Sequence, residues 1–139
     1  MVAVTKLIYI EHITVKPDRI CFDICFDPGA PTSTTPAIAE RIVQQRPHLI
    51  HHTCVNSGGK TFGDVLAHTP IPHVLEHVAI DIAVAWAAEQ GVHNTTTGTS
   101  EWVDKEHRHA RIELSYYDDV QTMAAMKQAL EEVCNVLDA

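Results

Sequence analysis

His73, Glu76 and His77 stand in the pattern H-x-x-E-H, within the segment His73-Val74-Leu75-Glu76-His77. These residue types at this spacing make up a complete minimal chemistry. Two histidines four residues apart fall on one face of a helix and can hold a single metal ion. A carboxylate three residues after the first histidine lies close enough to take a proton from a metal-bound water. With 10 histidines in 139 residues, the same pattern can arise by chance on an ordinary amphipathic helix, so its surroundings must support it.

The surroundings do. Pro70 and Pro72 precede the motif, and proline is favoured at helix starts. From His73 the chain runs without Gly or Pro to Gln90, and Gly91 supplies a C-terminal stop, which predicts a helix over about 72–90. Val74, Leu75, Val78, Ile82 and Ala85 form an apolar stripe at helical spacing, while His73, His77 and Asp81 lie at i, i+4, i+8 on a separate polar face.

A catalytic zinc takes three protein ligands and leaves one position for water. His73 and His77 supply two, and Glu76 is reserved as the base. Cys54 is the first choice for the third, because it sits directly upstream in the His-rich run His48-Leu49-Ile50-His51-His52-Thr53-Cys54 and a thiolate is an excellent zinc ligand. The competing reading of Cys54 is a small buried residue. His52 is the next choice; Glu89, Glu113, His107 and His109 are further options. Asp81 could accept a hydrogen bond from the outer nitrogen of His77 and so set its tautomer, or be an ordinary solvated helix residue. His68 could reach the pocket to stabilise an oxyanion. The expectation is one zinc per chain on His73, His77 and Cys54, with Glu76 as the catalytic base. Gly59-Lys60-Thr61 is set aside as a phosphate-binding loop, since that motif requires a glycine at position 54, which is cysteine.

The elements that must position these groups follow from the flanking pattern. Residues 4–15 are rich in β-formers and predict a strand; Lys16-Pro17-Asp18 is a turn; Arg19–Phe26 is a second strand, with Phe22, Ile24 and Phe26 on one side and Cys21, Asp23 and Cys25 on the other. Thr34 or Thr35 caps a helix from Pro36 to about Gln45, ended by Pro47. Residues 48–68 are the least regular part, expected as a strand end plus a loop. Residues 95–99 form a loop leading into strands at Glu101–Lys105 and Ala110–Tyr117. Asp118 or Asp119 caps a last helix to about Leu137, with Val120, Met123, Ala124, Met126, Leu130 and Val133 on its buried side. The order β-β-α-loop-α-β-β-α reads as α+β, an antiparallel sheet packed against helices, in one domain over 1–139.

A net charge of −8 with 10 Lys and Arg argues against nucleic acid or anionic membrane as a partner. No apolar run reaches the length of a transmembrane span, and the first ten residues lack the basic-then-apolar order of a signal peptide, so a cytoplasmic location is expected. The four cysteines, Cys21, Cys25, Cys54 and Cys134, read as thiols rather than a disulfide framework. Cys21 and Cys25 lie on one face of one strand, too far apart to bridge each other, and both read as packing residues, as does Cys134 on the last helix.

The run Leu49-Ile50-His51-His52-Thr53-Cys54, then Gly58-Gly59, Leu66, Thr69 and His73-Val74-Leu75-Glu76-His77-Val78-Ala79-Ile80-Asp81 resembles the N-terminal domain of cyanophycin synthetase, with its H-x-C, its Gly pair and its H-V-x-E-H-V-A-L-E-L in the same order. Arg111-Ile-Glu-Leu-Ser-Tyr-Tyr-Asp-Asp and the helix after it resemble that domain's closing strand and helix; the likeness covers about residues 49–130. Through H-x-x-E-H the chain also resembles inverzincin peptidases and S-ribosylhomocysteinase. That likeness implies a fold of the LuxS/MPP-like metallohydrolase type and supports Cys54 by analogy, since S-ribosylhomocysteinase pairs two such histidines with a cysteine. The sequence holds no ATP-grasp or Mur-ligase-like part, so a free-standing relative or one piece of a longer protein is expected.

Three readings of function follow. The first is a zinc-dependent hydrolase, a peptidase or amidase on a peptide-like or small-molecule substrate. The second is a metal-stabilised interaction module beside a Mur-ligase-type or cyanophycin-synthetase-like partner. The third is a metal-dependent lyase or isomerase. A second copy completing the cleft, as a homodimer, is also expected.

Overall fold

The structure, a computed structural model, describes residues 7–53, 61–93 and 96–138. Among the described residues, four strands form one antiparallel sheet: β1 (Ile8–Val15), β2 (Arg19–Phe26), β3 (Gly98–Asp104) and β4 (His109–Ser115), in the order β1-β2-β4-β3. The described residues also form three α-helices: α1 (Pro36–Gln45), α2 (Ile71–Glu89) and α3 (Asp119–Leu137). The architecture is the expected α+β with an antiparallel sheet.

Alternation along the strands builds the core. Ile20, Phe22, Ile24 and Phe26 of β2 and Ala110, Ile112 and Leu114 of β4 are buried on the face that meets the helices. Fully burying a side chain of this size contributes about 1.5–3 kcal/mol. The opposite face carries Cys21, Asp23 and Cys25 of β2 beside His109, Arg111 and Glu113 of β4. The helix starts follow local chemistry: Thr35 caps α1 by accepting from the Ile38 N–H at 3.3 Å, and Asp118 caps α3 by accepting from the Gln121 N–H at 2.9 Å.

Several boundaries and faces differ from the sequence expectation. β1 begins at Ile8, and residues 4–6 lie outside the described residues. β3 starts at Gly98 rather than Glu101, and β4 ends at Ser115, because Tyr116 leaves the sheet and donates its hydroxyl to the Lys16 carbonyl at 2.7 Å. The described parts of 48–68 contain no strand; they are three 3-10 turns, Pro47–His51, Phe62–Asp64 and Leu66–His68, with one isolated bridge between Thr53 and Thr61. In α3 the buried row is Thr122, Ala125, Met126, Ala129, Leu130, Val133 and Val136. Val120 is 68% exposed and Ala124 is exposed, since the helix turns those positions away from the sheet.

The helix α2 has no single apolar stripe. It lies between the sheet and α3 and is buried on several sides at once, including Glu76, His77 and Asp81, while Ala85 is exposed. By length and composition alone it could cross a membrane, but 67% of its apolar window is buried inside the protein, as befits a central core helix.

Candidate functional site

The N-terminus of α2 is anchored by two threonines. Thr34 donates its hydroxyl to the Leu66 carbonyl at 2.6 Å and accepts from the Thr69 N–H at 2.8 Å, and the Ile71 N–H donates to the Thr32 carbonyl at 2.9 Å. This brace holds Thr69 so that its Oγ1 lies 2.7 Å from His73 Nδ1. One nitrogen of His73 is thereby engaged, leaving Nε2 for the cleft. Phe62, fully buried, stacks on His77 with ring centroids 4.2 Å apart and meets His73 edge-on at 4.9 Å. The two imidazoles are thus fixed against a rigid apolar wall.

His73, Glu76 and His77 come together as the sequence anticipates: one ligand atom from each lies within 4.8 Å of the others. Behind them runs a polar chain that the motif alone does not show. His77 Nδ1 lies 3.1 Å from His52 Nδ1, and His52 Nε2 lies 3.2 Å from Asp81 Oδ1. Asp81 also receives His48 Nε2 at 2.6 Å and Arg46 Nη1 at 2.7 Å. Arg46 in turn grips Glu132 of α3 through Nε and Nη2, both at 2.7 Å.

This chain decides the tautomers. Burial pushes the Asp81 carboxyl up, but hydrogen bonds from His52, Arg46 and His48 outweigh it and bring the pKa down to about 2, so Asp81 is an anion that only accepts. Facing that anion, His52 holds a proton on Nε2, and in this tautomer it offers a lone pair at Nδ1. His77 Nδ1–H donates to that lone pair, which leaves His77 Nε2 bare. Nε2 is buried and finds no hydrogen-bond partner among the described residues. An orphaned buried nitrogen is costly unless something binds it.

The electrostatics agree. Burial, followed by the neighbouring His73 and His52, lowers the His77 pKa to about 3, and burial lowers that of His73. Both imidazoles are neutral at physiological pH, the form that ligates a metal. Burial raises the Glu76 carboxyl, partly opposed by a hydrogen bond with Ser100. Burial thus gives Glu76 a firmer hold on a proton than an exposed carboxylate has. Two neutral imidazoles, one of them orphaned, beside a carboxylate are a donor set that fits a zinc-class ion.

The group lines a cleft of about 1060 Å³. One wall is formed by His51, His52 and His68, the other by residues 96–102 at and before β3. Gly98 makes that second wall possible. A Cβ there would meet Leu114 Cδ2 at 2.8 Å and Glu76 Cγ and Oε2 at 3.0 and 3.1 Å. Gly98, Ser100 and Phe62 are therefore parts of the site that H-x-x-E-H does not show, with Gly98 opening β3 rather than lying in the expected loop; Thr69 stood among the residues of the cyanophycin synthetase likeness.

The other candidates are dispersed. Cys54 lies outside the described residues. His52 lines the cleft and has both nitrogens engaged, with His77 and Asp81. Asp81 reaches His77 only through His52, not directly as expected. His68 lines the cleft. Glu89 is exposed at the end of α2, and His107 pairs with Asp104 at 2.6 Å in the β3–β4 turn. Glu113 and His109 lie on the opposite face of the sheet, where Glu113 accepts from Arg19 and Cys21.

No curated protein matches the chain. The family model described as the cyanophycin synthase-like N-terminal domain matches residues 21–138, from β2 through α3, and so takes in the whole cleft. The inverzincin likeness rests on His73, Glu76 and His77 alone. With the match taking in most of β2, all of β3 and β4, the three helices and every residue of the cluster, the chain belongs to the cyanophycin synthase-like N-terminal domain family.

Proposed function

We propose that this domain is a metal-dependent hydrolase acting on an amide bond of a peptide-like substrate. The observation that carries the reading is the convergence of His73, Glu76 and His77 in one cleft, with His77 Nε2 buried and unpartnered among the described residues. His73 and His77 would hold a zinc ion, with Cys54 as the proposed third ligand. Such an ion, when bound, polarises a carbonyl and lowers the pKa of a coordinated water.

The chain's own groups do the rest. Thr69 and His52 orient the two imidazoles, and Phe62 shields them from water. Glu76 takes the proton of the attacking water and later delivers it to the leaving amine, so that amide and water become acid and amine. Gly98 lets β3 close over the Glu76 carboxylate, and Ser100 steadies it. The inverzincin likeness belongs to this proposal, as does a cytoplasmic setting.

The family match favours a second reading, a module that works beside a synthetase-type partner, with the same cluster as a structural metal site. The Glu76→Gln variant separates the two. Under the hydrolase reading, a zinc-loaded wild-type chain releases amines from a peptide and amide panel. Glu76→Gln retains zinc but loses about 10²–10⁴-fold in turnover. Turnover unchanged in Glu76→Gln refutes the mechanism. A wild-type chain that holds zinc and cleaves nothing in the panel supports the module.

A further inference from the structure

We propose that the outer face of the sheet carries a second divalent-metal site, formed by Glu11, Cys25 and His109, with a ligand set suited to zinc. It is independent of the cleft: the buried side chains of β4 on the other face, Ala110, Ile112 and Leu114, lie between the two.

Strand register builds the site. Cys25 of β2 stands directly opposite His109 of β4 and Tyr9 of β1, so cysteine and histidine are cross-strand neighbours on one face. The β1–β2 register slips between Ile10 and His12, which makes Glu11 the extra residue of a bulge. Bulges re-aim side chains, and here Glu11 Oε2 reaches the Cys25 thiol, which donates to it at 2.5 Å. One ligand atom from each of Glu11, Cys25 and His109 lies within 4.8 Å of the others.

A second observation points the same way. His109 Nε2 is buried and has no hydrogen-bond partner among the described residues. The carboxylate nearest to it, Asp23 Oδ1, is 3.9 Å away and already accepts from Arg111 Nε at 3.1 Å. A sulfur, an imidazole nitrogen and a carboxylate oxygen held on three adjacent strands give a zinc ion three protein ligands and one open position. On binding, the metal–sulfur bond forms as the thiol proton passes to the buffer.

Cys21 provides an internal control. It lies on the same strand and face, and it also donates to a carboxylate, Glu113 Oε1 at 2.9 Å. That carboxylate accepts from the Arg19 guanidinium at 3.1 Å, and the β4 residue opposite Cys21 is Glu113 itself rather than a histidine.

The test uses the whole chain carrying His77→Ala and Cys54→Ser, which removes the cleft ligands, titrated with cobalt(II) alone. The expected result is about one cobalt per chain, with thiolate-to-cobalt charge-transfer absorbance. Adding Cys25→Ser abolishes the absorbance, and adding His109→Gln weakens binding at least about tenfold. In the unsubstituted chain, zinc slows maleimide labelling of Cys25 at least about tenfold and leaves Cys21 unchanged, read by peptide mass spectrometry. Absorbance that is missing from the start, absorbance that survives Cys25→Ser, or equal protection of Cys21 overturns the proposal. If circular dichroism shows that a variant is unfolded, the labelling of the unsubstituted chain decides by itself.

Discussion

Replacing Asp81 by asparagine should damage the site more than replacing it by alanine, although asparagine is closer in shape. Arg46 donates to Asp81 Oδ2 at 2.7 Å and has no acceptor of its own. In the variant, the amide oxygen must face Arg46, so the NH2 group faces His48 and His52, where Oδ1 stood. An NH2 group donates, so His52 must accept at Nε2 and move its proton to Nδ1. His52 Nδ1–H then donates to His77 Nδ1, 3.1 Å away, and the His77 proton moves to Nε2, the nitrogen proposed above to bind the metal. Alanine merely removes the acceptor and leaves the tautomer undetermined. Loss of an orienting partner behind a metal-ligating histidine costs about 10–100-fold in affinity. Zinc affinity should therefore fall in the order wild type, Asp81→Ala, Asp81→Asn. Competition against a chelator measures it, and nitrogen NMR of metal-free protein should show His77 protonated at Nδ1 in the wild type and at Nε2 in Asp81→Asn.

The same residue sets a pH-dependent share of stability. Its pKa falls from the ordinary 3.8 to about 2, and Asp81 is only 9% exposed. At 1.36 kcal/mol per pKa unit this corresponds to about 2.4 kcal/mol. The 63% exposure of His48 screens part of it, leaving about 2 kcal/mol. Because the folded pKa is depressed, this stability is fully present above about pH 4 and is lost as pH falls towards 2. Urea unfolding of metal-free wild type and Asp81→Asn should differ by about 2 kcal/mol at pH 7 and by about half that at pH 3. A gap that stays constant or widens at low pH, or an Asp81→Asn chain that holds zinc more tightly than Asp81→Ala, would refute the reasoning.

Other substitutions and reagents probe neighbouring parts. Gly98→Ala presses a methyl group against Leu114 and Glu76 and should cost about 1–3 kcal/mol, read as a fall in Tm of several degrees, with the Glu76-dependent turnover reduced. Unchanged Tm and turnover would show that β3 moves aside at no cost. Burial and the hydrogen bond to Glu11 raise the Cys25 thiol to about 11. Its alkylation in metal-free protein should be far slower than that of a small thiol at pH 8 and should rise about tenfold per pH unit up to at least pH 10. A rate that levels off near pH 9 would contradict that.

Local chemistry in the chain determined much of this protein. The Thr35 and Asp118 caps, Pro36 and the alternation Phe22-Ile24-Phe26 each act within a few residues, so α1, α3 and β2 were readable directly. His73, Glu76 and His77 were also readable, because a helix alone brings i, i+3 and i+4 together. What lay beyond reach depends on which faces meet. α2 is enclosed by the sheet and α3, so His77 is buried and His73 half-buried rather than on a polar face, and desolvation lowers the pKa of both. The proton chain from Asp81 through His52 to His77 spans 29 residues of sequence at its outer step, and Arg46 ties it to Glu132 on another helix. Gly98 acquires meaning only when β3 lies over Glu76, and Glu11 only when a bulge turns it onto Cys25. The motif specifies which atoms can bind; the packing of sheet, α2 and α3 decides which nitrogen is bare and which carboxylate is aimed, because desolvation and hydrogen-bond direction exist only once those surfaces are in contact.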